Sequence, residues 1–272
     1  MDDLDDIDYD KFVVPILVIL VIIGILIYNY NNYNKTQNIV FLTYGDKNFK
    51  KSRERIIDEA KQLNLFTDCI METDDVFNDR EFKEQLTNER FKQVATSNKG
   101  GGYWIWKPYI LYKHLSNLNE GDILVYADAG CKINNDTTTL DSFNNVFNKI
   151  QNTNTNMVVN KLPNQYVEKN WTKGDVLKYH NVYDNDIIYE SQFEGGRIIL
   201  IKNKKTMNII KQWWDIAKNR PEFFDDSKSK IPNKDGFIDH RHDQSNISIL
   251  CKVNDCCDGN DLDFINAKRI RE

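Results

Sequence analysis

The first 37 residues divide sharply by polarity. An acidic start, MDDLDDIDYDK, gives way to an uncharged apolar run from Phe12 to Tyr28, FVVPILVILVIIGILIY, and then to a polar, Asn-rich stretch. The run lies at the short end of the roughly 17 to 25 apolar residues that cross a bilayer as a helix. Tyr9 and Phe12 on one side, and Tyr28, Tyr30 and Tyr33 on the other, stand where interfacial rings anchor such a helix. A cleaved secretory signal has a basic leader and a small-residue cleavage site, and neither is present. The pattern predicts a retained transmembrane helix at residues 12–28, between an acidic tail at 1–11 and a polar spacer at 29–37. Lys11 and Lys35 balance each other across it. With so short a tail and so long a downstream segment, the expected topology is a single pass with the N-terminus cytoplasmic, type II.

From residue 38 onward, short apolar runs alternate with amphipathic stretches. Ile39 to Asp46 (IVFLTYGD) reads as a strand ended by Gly45, and Phe49 to Leu63 as a helix. The unit recurs as the strand Asp122 to Ala127 with a helix over Leu140 to Ile150, and as the strand Arg197 to Ile201 with a helix over Lys205 to Lys218. Strands alternating with helices predict an α/β sandwich with a mainly parallel sheet, filling residues 38–272 as one domain. Ligands bind such sheets beyond the carboxyl ends of the strands, so the residues after Tyr44, Ala127 and Ile201 are the first expected site positions.

Composition narrows the partners. The chain is 40% hydrophobic and 12% aromatic, enough to bury one large core, and its formal net charge of -5 argues against nucleic acid as a partner. No pair among Cys69, Cys131, Cys251, Cys256 and Cys257 has the CxxC spacing of a zinc or redox site; the last three form a cluster able to supply one disulfide.

Three segments carry the candidate chemistry. In LVYADAGC, Asp128 follows an apolar strand and precedes Gly130, which presents a carboxylate at a sheet edge where a hard cation, Mn²⁺ or Mg²⁺, could be bound; a turn-capping Asp is the plainer reading. In SNKGGGYWIWKPYILYKHL, Gly100, Gly101 and Gly102 run into Tyr103, Trp104, Trp106 and Lys107 before Pro108 opens a helix. This combines stacking surfaces with a cation near phosphate, without the GK[ST] ending of a phosphate loop. In FIDHRHDQSNISILCK, Asp239, His240, His242, Asp243 and Gln244 precede an apolar helix, whose start an Asp or Ser can also cap. Glu194, beside Gly195 and Gly196 before the strand RIILI, is a candidate general base. Trp171, Lys173 and Asp175 are candidates for an acceptor side, and Trp213 and Trp214 read as core.

The apolar strand with Tyr126, Asp128 and a small residue, the GGGYWIWKP string and the HDQS element, in this order over residues 38 to 252, resemble GT-A-fold glycosyltransferases, especially capsule-type and giant-virus members with a degenerate DxD. The resemblance implies a GT-A-like Rossmann-type α/β/α sandwich and a UDP- or GDP-sugar donor with a glycan, protein or lipid acceptor. It implies donor-binding roles for Thr43, Tyr44, Gly45, Tyr103, Trp104, Trp106, Lys107 and Tyr126, metal ligation by Asp128 and His242, and placement of Asp243 and Gln244 at the reacting sugar. The chain departs from the pattern at Gly130, where many families carry a second Asp. Two other readings remain open: a membrane-tethered sugar-binding protein without catalysis, and a metallohydrolase built on the DHRHD string.

Overall fold

The structure, a computed structural model, describes residues 16–24, 37–153, 155–259 and 262–267. It divides into two units, Met1–Gln37 and Asn38–Glu272. In the first, residues 16–24 are helical, with the apolar side chains of Ile16 to Ile23 exposed. The rest of the apolar run lies outside the described residues, and no described helix is long and apolar enough to cross a membrane.

The second unit is built on strands β1 (Ile39–Tyr44), β2 (Asp68–Glu72), β3 (Ile123–Ala127), β5 (Met157–Lys161), β6 (Phe193–Ile201) and β7 (Cys257–Gly259), ordered β2-β1-β3-β6-β5-β7; β4 (Lys132–Ile133) and β8 (Ile265–Asn266) make a separate two-stranded pair. The main helices are α1 (Lys50–Gln62), α2 (Trp106–Asn117), α3 (Thr137–Asn152), α4 (Lys204–Asn219) and α5 (His242–Val253). All residues of β3 are buried, as a strand covered on both faces requires.

Side chains alternate between two cores. Val40, Leu42, Leu124, Tyr126, Ile198 and Leu200 face α2, α4 and α5, whereas Phe41, Ile123, Val125, Val158 and Ile199 face α1 and α3. The period of two in the strands thus meets the 3.6-residue period of the helices on either side, which makes an α/β/α sandwich. Trp213 and Trp214 of α4 are core residues, as expected. Asp136 caps α3, accepting from the Thr139 N–H at 2.7 Å, and Asn203 opens α4 with a reciprocal capping box.

Within this sheet β1–β2, β1–β3 and β5–β7 are parallel, but β6 runs antiparallel to both β3 and β5. This corrects one expectation. Lys202 donates to the Asp122 carbonyl at 2.7 Å, so the residues after Ile201 lie beside the start of β3, at the edge opposite Asp128. The beginning of β6 lies at the Asp128 edge instead, with the Asp128 N–H on the Gly196 carbonyl at 2.9 Å. The strand also begins earlier than its apolar run suggests, so Glu194, Gly195 and Gly196 belong to it. A disulfide joins Cys251 of α5 to Cys257 of β7, and Cys69, Cys131 and Cys256 are free thiols.

The sheet and both its cores lie within Asn38–Glu272. A variant lacking residues 1–35 is therefore expected to be soluble and to melt cooperatively, as followed by far-UV circular dichroism. Insoluble product that folds only when the N-terminal segment is restored would refute this.

Candidate functional site

At the carboxyl end of β3, Asp128 meets the start of β6 and the first turns of α2 and α5. Lys107, in the first turn of α2, joins them: its Nζ lies 3.1 Å from Asp128 Oδ1 and 2.7 Å from Asp243 Oδ2, and donates to the Gly195 carbonyl at 3.1 Å. The lysine side chain is 2% exposed and that of Asp243 8%, whereas Asp128 is 40% exposed. Burial works to lower the Lys107 pKa, but the charges of Asp128 and Asp243 outweigh it and hold the ammonium protonated. Burial pushes the Asp243 carboxyl up, with Lys107 working against it.

Tyr126 donates to Asp128 Oδ1 at 2.6 Å. One oxygen of Asp128 is therefore engaged by Tyr126 and Lys107. The other faces β6, where a methyl carbon on Gly196 would stand only 2.8 Å from Asp128 Oδ2 and 3.3 Å from Glu194 Oε1. Gly195 serves the other side, where α5 approaches so closely that a methyl carbon would stand 3.2 Å from both Asp243 Oδ2 and Gln244 Cα. Glu194 is tied through Oε2 to Arg197 Nε at 3.0 Å and Nη2 at 2.6 Å. Gln244 donates to Gln192 Oε1 at 2.7 Å, which fixes its amide.

The glycine loop forms the adjoining wall. Gly100, Gly101, Gly102, Tyr103 and Trp104 have φ of 60, 58, 98, 51 and 56°, so this is one turn of left-handed helix. Such a conformation costs about 1–2 kcal/mol for each residue bearing a Cβ, here Tyr103 and Trp104. Asp226 restrains it, accepting from Lys99 Nζ at 2.8 Å and Tyr103 Oη at 3.1 Å and pairing with His242 Nε2 at 2.8 Å. The His242 ring packs on Tyr103 and Trp104 at centroid distances of 5.4 and 5.2 Å. Trp106 stacks on Tyr44 at 3.6 Å and donates to the Gly100 carbonyl at 3.1 Å.

The expected site residues thus fall into three groups. Lys107, Tyr126, Asp128, Glu194, Asp243 and Gln244 converge at one sheet edge, and Tyr44, Tyr103, Trp104 and Trp106 line the neighbouring loop. Thr43 and Gly45 play supporting parts. Thr43 is fully buried and donates to the Ala127 carbonyl at 2.7 Å, locking β1 to β3, while the Gly45 carbonyl accepts from Arg53.

His242 departs most from expectation, because its Nε2 is taken by Asp226. Among the described residues the single set of three His, Cys, Asp or Glu ligand atoms within 4.8 Å of one another is Cys251, Cys256 and Cys257, so no third such group joins Asp128 to His242. His240 is buried, with Nε2 2.8 Å from the Phe223 carbonyl, so the two histidines of DHRHD serve different partners and make no hydrolase-type metal cluster. No side chain caps α5. Lys173 turns inward and holds the Asp225 and Ser227 carbonyls at 3.0 and 3.3 Å, and Asp175 accepts from the Lys230 N–H at 3.3 Å; both brace the 221–241 segment rather than an open acceptor face. Trp171 stacks under Arg241 at 4.4 Å.

Sequence reasoning missed Asp226, Lys99 and Arg197. For Arg197 the signal was present: a lone charge heading the apolar strand RIILI must be paired when buried. Asp226 lies in FFDDSKSK, which has no periodicity to distinguish it.

Burial alone would raise the Asp226 carboxyl, but hydrogen bonds from Lys99, His242 and Tyr103 outweigh it and bring it down to about 2. A carboxyl lowered on folding stabilises the fold above its unfolded pKa, and that contribution fades as the pH falls through the folded value. Asp226→Asn is therefore expected to lower the melting temperature near neutral pH, with the gap to wild type closing between about pH 4 and pH 2. Melting curves across that range test this, and a gap independent of pH would remove the ionised carboxylate from the account.

No family profile and no curated protein matches the chain. Solved structures do. Mouse xyloside xylosyltransferase 1, in its apo form, matches with a TM-score of 0.44 and 8% identity, over 82% of this chain and 85% of that one. A glycosyltransferase involved in the glycosylation of the major capsid of PBCV-1 matches with a TM-score of 0.35 and 12% identity, over 68% of each chain. Core-mannan synthase A from Aspergillus fumigatus, in a Mn/GDP form, matches with a TM-score of 0.37 and 11% identity, over 80% of this chain and 70% of that one. All three are glycosyltransferases, the class of the sequence resemblance.

Proposed function

We propose that the chain is a glycosyltransferase that moves a sugar from a nucleotide-sugar donor, a UDP- or GDP-sugar, to a glycan, protein or lipid acceptor. The observation that carries this reading is the half-exposed Asp128 held in one orientation by Tyr126 and the buried Lys107 at the carboxyl edge of β3. Preorganised charge of this kind acts on charge that develops during a reaction without having to reorganise first.

Each group has a distinct task in this reading. Tyr126 and Lys107 orient Asp128, and Lys107 also fixes Asp243 at the start of α5, beside the place assigned to the reacting sugar. Gln244, held by Gln192, presents its amide there in a fixed orientation. The stacked Tyr44 and Trp106 with the left-handed glycine turn offer a rigid aromatic wall to a base or sugar ring. Asp128 Oδ2 is a hard donor beside Gly196, not engaged by Tyr126 or Lys107, which suits a divalent cation. When bound, Mn²⁺ or Mg²⁺ there would offset the negative charge of a departing diphosphate. In this reading the 12–28 run tethers the domain to a membrane as a type II anchor, a placement supported by its unbroken apolar character and the lack of a cleavage site.

Asp128→Asn, which removes the charge at nearly constant volume, is expected to lower nucleotide-sugar turnover by about 10²-fold or more, the scale of losing one charge-stabilising group, with the melting temperature close to wild type. Screening the full-length chain against UDP- and GDP-sugars with Mn²⁺ and Mg²⁺, and then assaying the variant on the best donor, tests this. Turnover equal to wild type in a folded Asp128→Asn protein would exclude Asp128 from the chemistry. Binding without turnover for every donor would favour the non-catalytic sugar-binding reading.

A further inference from the structure

The chain lacks a second carboxylate next to Asp128 in sequence, yet the antiparallel course of β6 brings one to the same place. Ala127 pairs with Arg197, so the next residues inward, Asp128 and Gly196, stand opposite each other, as the 2.9 Å bond from the Asp128 N–H to the Gly196 carbonyl shows. β6 is irregular just there, its register against β5 shifting between the Val159–Ile198 and Lys161–Phe193 pairs, and the two carboxylates meet beside Gly196: a Cβ on that residue would stand 2.8 Å from Asp128 Oδ2 and 3.3 Å from Glu194 Oε1. Each carboxylate is then held by one oxygen only. Tyr126 and Lys107 engage Asp128 Oδ1, and Arg197 engages Glu194 Oε2 through two nitrogens. The remaining oxygens, Asp128 Oδ2 and Glu194 Oε1, both stand against Gly196.

We propose that Asp128 and Glu194 together hold a divalent hard cation over Gly196, with Glu194 in the place of the missing neighbouring carboxylate and with no part for His242. The use of that cation rests on the glycosyltransferase reading; its binding does not. Two carboxylate oxygens beside one glycine match the all-oxygen ligand sets of Mg²⁺ and Mn²⁺, with water completing the set. The glycine is part of the site, because any Cβ would press on both ligand atoms. Glu194 is thereby reassigned from general base to cation ligand. Its fixed pairing with Arg197 suits that role, since a ligand's orientation is set by what holds its other atoms.

The test is a titration of the full-length chain with Mn²⁺ in the absence of nucleotide, following the free-ion paramagnetic resonance signal. Wild type is expected to bind one Mn²⁺. Glu194→Gln and Gly196→Ala are each expected to weaken binding at least about tenfold, since even partners one shell removed from a metal cost 10–100-fold when lost. Gly196→Ala guards against a folding artefact: it keeps both carboxylates and the Glu194–Arg197 pair, and displaces only side-chain ends. His242→Asn, chosen because Asn tolerates the positive φ of 46° there, is expected to bind as wild type does. Wild-type affinity in either Glu194→Gln or Gly196→Ala, loss of binding in His242→Asn, or no Mn²⁺ bound by wild type would overturn the proposal. If this binding pattern holds while no nucleotide sugar is turned over, the cation site stands and the transferase reading falls. If turnover holds without the pattern, the reverse follows.

Discussion

A lysine ammonium withdrawn from water is tolerated only where its charge is answered, and Lys107 meets that condition by drawing four elements to one point. Its partners come from the end of β3, the start of α5 and the backbone of β6, while it stands itself in the first turn of α2. Within the buried Lys107–Asp243 pair, losing one partner typically costs about 3–5 kcal/mol, because the surviving charge stays buried and unpaired; the half-exposed Asp128 carries much less of that cost. The three-way contact is therefore a geometric constraint as much as an attraction. It fixes where α5 begins and how closely α5 approaches β6, and hence why a Cβ on Gly195 would be crowded at 3.2 Å. The orientation of Asp128 is a by-product of the same constraint.

The glycine turn beside it works on the opposite principle, since it is held against its own preference. Five successive residues in the left-handed region do not arise from local propensity, least of all at Tyr103 and Trp104. The turn persists because Asp226, a residue more than a hundred positions away, ties Lys99, Tyr103 and His242 together. His242 is itself at positive φ, so the start of α5 and the loop are both strained and brace each other. The aromatic wall is thus rigid through non-local contacts.

These two arrangements explain what the sequence disclosed and what it withheld. The runs IVFLTY and ILVYA were legible as buried strands because a strand covered on both faces is continuously apolar, and α4 was legible from its amphipathic period. Lys107, Asp128 and Asp243 stood out as polar residues at element ends. The direction of β6 was hidden, because an apolar run carries no mark of parallel or antiparallel pairing; that is set by connections elsewhere in the chain. The same gap concealed the approach of Glu194 to Asp128, which depends on register rather than spacing. The resemblance implied His242 as a ligand, but side-chain direction at a strained helix start cannot be read from a motif, and Asp226 took its Nε2.

The Cys251–Cys257 bond closes a loop with a sequence separation of only 6, so it removes little freedom from the unfolded chain. Its importance is positional. β7 is a three-residue strand on the outer side of β5, and among the described residues it is the strand that pairs with that border of the sheet. A strand so short holds its place weakly by pairing alone, and it is tied on both sides of the sheet, by the covalent link to α5 and by the Lys149–Asp258 ion pair to α3. In a reducing environment, where Cys251 and Cys257 would be thiols, β7 would keep only its pairing with β5 and that ion pair, and the border would be less firmly closed. A bond that closes so small a loop thus serves less to stabilise the fold than to fasten the sheet's last strand.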